Sequence, residues 1–185
     1  MVEKYNNILK RRLSQKRYEH CVNVSKKSIY LAKKYGADIK KAEIAGLLHD
    51  ITKETEMEEQ LKILEQAKMK LTEEELKNKN LWHAVSGKAY LKTILGINDE
   101  DILNAVRYHT TGRAGMSKLE KVVFVADLTS DERDFEGVEK IRSIAEKSLD
   151  AAVAFSIINL LNKKYVIASN SWSAYNDTVE ALVDL

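Results

Sequence analysis

Residues 42–53 read AEIAGLLHDITK. The run up to Leu48 is apolar nearly all round, the pattern of a helix buried on most of its surface. It closes on His49-Asp50. Aspartate is almost never fully buried unless it is paired, so Asp50 needs a partner. One reading is local: Asp50 ends the helix and caps the next turn at Thr52. The other is chemical. Adjacent residues on a helix project about 100° apart, so both side chains can reach one cation lying between them. The dipeptide is too common to separate the two readings.

Working outward, the period is helical throughout. A short helix is expected over about 3–12. Ser14 can cap a second that runs to Tyr35 and stops at Gly36. Asp38 can cap the third, carried through Asp50. Residues 54–69, ETEMEEQLKILEQAKM, read as an exposed amphipathic helix. Thr72 with Glu75, and Ser117 with Glu120, fit capping boxes. Further helices are expected over about 81–94, 98–109, 117–128 and 138–165, and the tail from Ser173 can add a turn or two. Proline is absent and glycines number seven, which suits helices. The expectation is an all-α fold, one domain over 1–185, with its core over about 16–158 and a helical tail over about 159–185.

The chain has four histidines, His20, His49, His83 and His109, each on the apolar side of a different expected helix. His20 shares a stripe with Leu13, Val24 and Leu31; His83 with Gly87, Tyr90 and Ile94; His109 with Ile102 and Val106. One such histidine is usually a core residue bonded to a backbone carbonyl. Several buried imidazoles are costly unless each has a partner, and one shared metal site satisfies them all. Asp127 ends KVVFVAD (121–127), a second carboxylate with an apolar approach. On its own it would be a helix-end aspartate bonded to backbone or to an arginine.

Composition excludes other classes. Thirty basic residues against 28 acidic ones leave a net charge of +2, which gives no reason to expect a nucleic-acid or membrane-surface partner. No apolar run approaches a membrane span. Cys21 is the single cysteine, so no intrachain disulfide forms. With an opening stretch unlike a signal peptide, this points to a reducing cytoplasm. Cys21 itself reads as a small core residue, Trp82 as a packing residue rather than a platform for a base, and Trp172 lies in a polar tail that assigns it no role.

The order His20, His49-Asp50, His83, His109, Asp127 resembles the metal-site signature of the HD superfamily in its dinuclear form. The stretches RYEHCVNV (17–24), AGLLHDITK (45–53), LWHAVSG (81–87), YHTTGRAGMSKLEKVVFVAD (108–127) and ERDFEGV (132–138) are similar to the bacterial YqeK family, over about 16–158. The resemblance implies a helical bundle around two metal ions and symmetrical hydrolysis of diadenosine tetraphosphate to two ADP. Iron is the ion it implies; manganese, cobalt and zinc also suit such a donor set. One stretch departs from the family. Its members follow the last aspartate with a segment like IEPxR, whereas residues 128–133 here read LTSDER.

The chemistry expected is attack on phosphorus by a water that two cations acidify. His20, His49, Asp50 and Asp127 would hold one ion, and His83 and His109 the second, with Asp50 as the bridge. Lys53 follows His49 by four residues, on the same side if the helix continues, and would meet a phosphate; the resemblance favours this over a solvated lysine. Arg113 and Arg133 would clamp phosphates, each alternatively a surface residue. Thr110 and Thr111 could bond substrate, and Gly112 reads first as a helix stop. The expected partner is a dinucleoside polyphosphate, with room for a homodimer. Other readings are an HD nucleoside-monophosphate phosphatase, a di-iron HD oxygenase with the same ligands, and a non-catalytic nucleotide-binding module.

Overall fold

Short capping side chains set the helix starts, in a computed structural model that describes residues 2–162 and 168–183. Ser14 accepts from the Arg17 amide and opens α2 (Gln15–Tyr35), which stops at Gly36 in the left-handed conformation. Asp38 accepts from Lys40 and Lys41 and opens α3 (Ile39–Leu48). Both capping boxes form, Thr72 with Glu75 at α5 (Glu73–Lys77) and Ser117 with Glu120 at α8 (Lys118–Thr129). The remaining helices are α1 (Val2–Arg12), α4 (Met57–Gln66), α6 (Trp82–Thr93), α7 (Glu100–Tyr108), α9 (Val138–Ala145), α10 (Leu149–Asn162) and α11 (Ser169–Thr178). Two short 3₁₀ turns, Lys79–Leu81 and Val179–Leu182, complete an all-helical fold among the described residues. None of the described helices is long and apolar enough to cross a membrane.

The core lies where α2, α3, α7, α8 and α10 meet. Leu31, Leu48, Leu103, Phe124 and Ile157 are fully buried there. α2 and α3 approach so closely that a Cβ at Gly46 would stand 2.5 Å from Ser28 Oγ. Cys21 is a buried free thiol, and burial pushes its pKa well up. Trp82 is a packing residue whose indole N–H donates to the Glu75 carbonyl at 2.7 Å.

Four expectations change. α3 stops at Leu48 and residues 49–55 form successive turns, with Lys53 N–H bonding Asp50 O and Thr55 N–H bonding Thr52 O. The helix expected over 138–165 is two helices. Ser148 Oγ accepts from the Ala151 amide and restarts the chain as α10; residues 163–165 lie outside the described segment. Ile94 is 48% exposed, off the buried face it was assigned to. The tail helix begins earlier than Ser173, at Ser169.

Candidate metal centre

Each histidine arrives from a different part of the chain. His20 lies in the second turn of α2, His49 directly follows α3, His83 opens α6 and His109 follows α7. All are buried, at 6, 0, 3 and 2% exposure. The rings form a row, His20–His49–His109–His83, with centroids 5.1, 4.9 and 5.1 Å apart. Their Nε2 atoms meet in pairs: His20 and His49 at 3.2 Å, His83 and His109 at 3.2 Å.

The outer nitrogens fix the tautomers. His49 Nδ1 donates to the Gly46 carbonyl and His109 Nδ1 to the Val106 carbonyl, both at 2.7 Å. His20 Nδ1 lies 2.5 Å from Glu132 Oε1 and donates to it. The Nε2 lone pairs of these rings therefore point inward.

Asp50, 3% exposed, divides its oxygens between the pairs. Oδ2 is 3.4 Å from His49 Nε2 and 3.8 Å from His20 Nε2. Oδ1 is 3.2 Å from His83 Nε2 and 3.5 Å from His109 Nε2. Oδ1 is buried without a hydrogen-bond partner. Asp127, from the last turn of α8, places Oδ1 3.1 Å from His20 Nε2 and 3.8 Å from His49 Nε2. Burial alone would raise both aspartates, yet the imidazoles around Asp50, and His20 with Arg133 beside Asp127, hold each below the ordinary carboxylate range. Burial pushes His83 down to about 4, so its ring is neutral near pH 7.

Converging lone pairs beside a buried, unbonded carboxylate oxygen are unfavourable without a cation. Mixed imidazole and carboxylate donors suit a divalent transition ion. The residues present therefore fit a divalent metal, and three overlapping ligand groups cover the row: His20-His49-Asp50, His49-His109-Asp127 and Asp50-His83-His109.

Lys53 reaches this centre from a turn and not from a continued helix. Its Nζ lies 3.3 and 3.4 Å from the two ring nitrogens of His83, and burial lowers its pKa. Thr52, buried beside it, donates to the His83 carbonyl at 2.8 Å and fixes the turn against α6. Arg133 lies on the opposite side, bonded to the Asp127 carboxylate and carbonyl, with Nη2 3.4 Å from His20 Nε2.

Arg113 is not brought to the cluster. Glu120 holds its guanidinium at 2.6 and 2.7 Å, and it stacks over Tyr108. Gly112 is in the left-handed conformation, as a helix stop requires, and bonds Tyr108 O through its amide. Thr111 Oγ1 donates to the Gly112 carbonyl, while Thr110 Oγ1 is buried without a partner.

Sequence reasoning missed two charged neighbours. Arg17 Nη1 lies 2.9 Å from Asp50 Oδ2. The available signal was its spacing, three residues before His20 and so on the same helical face. Glu132 sits in the atypical loop, which Arg142 of α9 ties down through the carbonyls of Thr129, Ser130 and Arg133. Lys16, Arg17, His20, Glu132, Arg133 and Phe135 border a cavity of about 350 Å³ beside the row.

An all-helical frame enclosing buried histidines and aspartates defines a class of proteins built around a divalent-metal site. A family profile for the HD domain matches residues 17–132, and the chain belongs to that family. It is similar to a symmetrical bis(5′-nucleosyl)-tetraphosphatase of Bacillus subtilis, 41% identical over 174 residues, 91% of this chain and 92% of that one. The Staphylococcus aureus protein of the same name is 34% identical, covering 98% of this chain and 92% of that protein. A crystal structure of a predicted HD superfamily hydrolase involved in NAD metabolism, from Clostridium acetobutylicum, has a TM-score of 0.91 and 34% identity, and the match covers 98% of each chain.

Proposed function

We propose that this protein is a metal-dependent hydrolase that cleaves diadenosine tetraphosphate symmetrically, releasing two ADP. The observation that carries it is the division of the buried Asp50 carboxylate between two histidine pairs, in a chain aligned over most of its length with symmetrical tetraphosphatases. His20, His49 and Asp127 would hold one divalent ion, His83 and His109 the other, and Asp50 would join them. The resemblance to this family favours iron. Bound there, the ions supply Lewis-acid stabilisation of phosphoryl charge and lower the pKa of a water.

The chain's own residues do the rest. The Nδ1 hydrogen bonds of His20, His49 and His109 keep the ligating nitrogens aimed inward. Cations flank the row at both ends, Lys53 beside His83 and Arg17 with Arg133 beside His20. A substrate cut at its middle carries phosphates on both sides of the reacting phosphorus, and cations on both sides suit that demand. Thr110 supplies a hydroxyl beside His109; Thr111 and Gly112 shape that turn, and Arg113 is left outside the site by its pairing with Glu120.

Product analysis tests the reading. Purified protein supplied with iron or manganese and diadenosine tetraphosphate is expected to yield ADP as the only nucleotide. ATP with AMP would place the attack at another phosphorus and end the symmetrical assignment. Light scattering on the same preparation reads the proposed homodimer.

A further inference from the structure

The four rings differ in what holds their outer edge. His49 and His109 donate to neutral backbone carbonyls of their own helices. His83 faces an ammonium, Lys53 Nζ, at 3.3 Å. His20 alone among them meets a carboxylate at its Nδ1, Glu132 Oε1 at 2.5 Å. That carboxylate is a built feature. Ser130 Oγ donates to it at 2.8 Å. Arg142 anchors the loop that carries it. Glu132 is the residue directly before Arg133.

We infer that Glu132 is a positioning residue that makes the His20 end of the row the tighter of two unequal metal positions, with Lys53 loosening the His83 end. The inference rests on the ligand reading proposed above. A carboxylate behind a ligating imidazole fixes its tautomer and raises its basicity, and loss of such a partner typically weakens metal binding about 10–100-fold. A cation beside the ring acts in the opposite sense, because it repels an incoming positive ion; at the His20 end Arg17 and Arg133 are each paired with a carboxylate, Asp50 and Asp127, whereas Lys53 faces the His83 ring itself.

Calorimetric titration of the chelator-stripped, full-length protein with Mn²⁺ alone tests this. Two binding events of unequal affinity are expected, and His20→Ala should remove the tighter one. Glu132→Ala should weaken the tighter event about 10–100-fold and leave the other unchanged. Glu132→Gln, which keeps an acceptor for Nδ1 without the charge, should fall between. Lys53→Met should strengthen the weaker event. A single event, two equal events, or a Glu132→Ala titration that matches the wild type overturns the inference. Matching melting curves of the stripped variants separate this effect from unfolding. No nucleotide is present, so the two readings fail independently. Stepwise binding without diadenosine tetraphosphate cleavage sinks only the hydrolase. Cleavage with a titration indifferent to Glu132 sinks only the inequality.

Discussion

Asp50 touches both histidine pairs and Arg17, so its removal is the most damaging single change. Asp50→Ala should lose bound metal and lower activity by more than the roughly 10–100-fold of an outer-shell change; full metal content with wild-type turnover would refute the bridge. Lys53→Ala should retain the ions but lose a charge-assisted contact of about 1.5–3 kcal/mol, roughly 10–100-fold in kcat/KM. Kinetics like those of the wild type would return Lys53 to a packing role. Acid should destabilise the metal-free protein. A histidine in the unfolded chain protonates near pH 6.5, whereas folded His83 waits until about 4. The unfolded state binds more protons across that window, so stability falls as pH drops through it. The depressed Asp50 and Asp127 add to this lower down, their contribution being present above about pH 3.9 and lost below. The melting temperature of chelated protein should fall steadily from pH 7 to 5; a flat profile would contradict the burial of a neutral His83. The histidines and aspartates were legible because polar groups on apolar helix faces demand an explanation. Glu132 was not, because a charge in a loop carries no periodic signal; Arg17 shares a helical face with His20, but a basic residue in the first turn of a helix reads equally well as a solvated one.

At the scale of elements, the site depends on how closely α2 and α3 pack. His20 rides on α2 and His49 follows α3, and Gly46 lets the two helices touch at Ser25 and Ser28. Gly46→Ala would press a methyl group into that contact. It should cost about 1–3 kcal/mol of stability and weaken metal binding by moving His20 away from His49. Chemical denaturation and metal analysis of one preparation check both; an unperturbed metal content would show that the helix spacing is slack. Helix starts were readable from Ser14, Asp38, Thr72 and Ser117, since a side chain that can accept from the backbone announces itself. The break between α9 and α10 was not. Glu146 and Lys147 are good helix formers, so propensity gives no stop there. The restart depends on Ser148, and Glu146 is drawn toward Lys34 and Tyr30 of α2. The end of α3 was misplaced for a related reason, because the apolar pattern runs on into Ile51 while Lys53 N–H turns back to Asp50 O.

For the whole molecule, the tail belongs to the same packed body as the cluster. Ala174 of α11 is 1% exposed, and a Cβ at Gly112 would meet its methyl at 2.9 Å. Ser169 bonds Glu74, and Asp177 accepts from the Gly115 amide. We therefore expect one cooperative unfolding transition for the full chain. A version ending at Asn162 should melt several degrees lower, because the turn after His109 loses its cover; equal melting temperatures would make the tail an appendage. That turn owes little to side chains for its orientation. Two imidazoles of the row are aimed by main-chain carbonyls, those of Gly46 and Val106, which any amino acid supplies. Substitution at those carbonyl positions can change packing, but it cannot delete the acceptor. His20 has no such insurance, since its acceptor is a side chain, that of Glu132. A change at Glu132 should therefore disturb the aim of His20 while the two middle rings, His49 and His109, keep theirs.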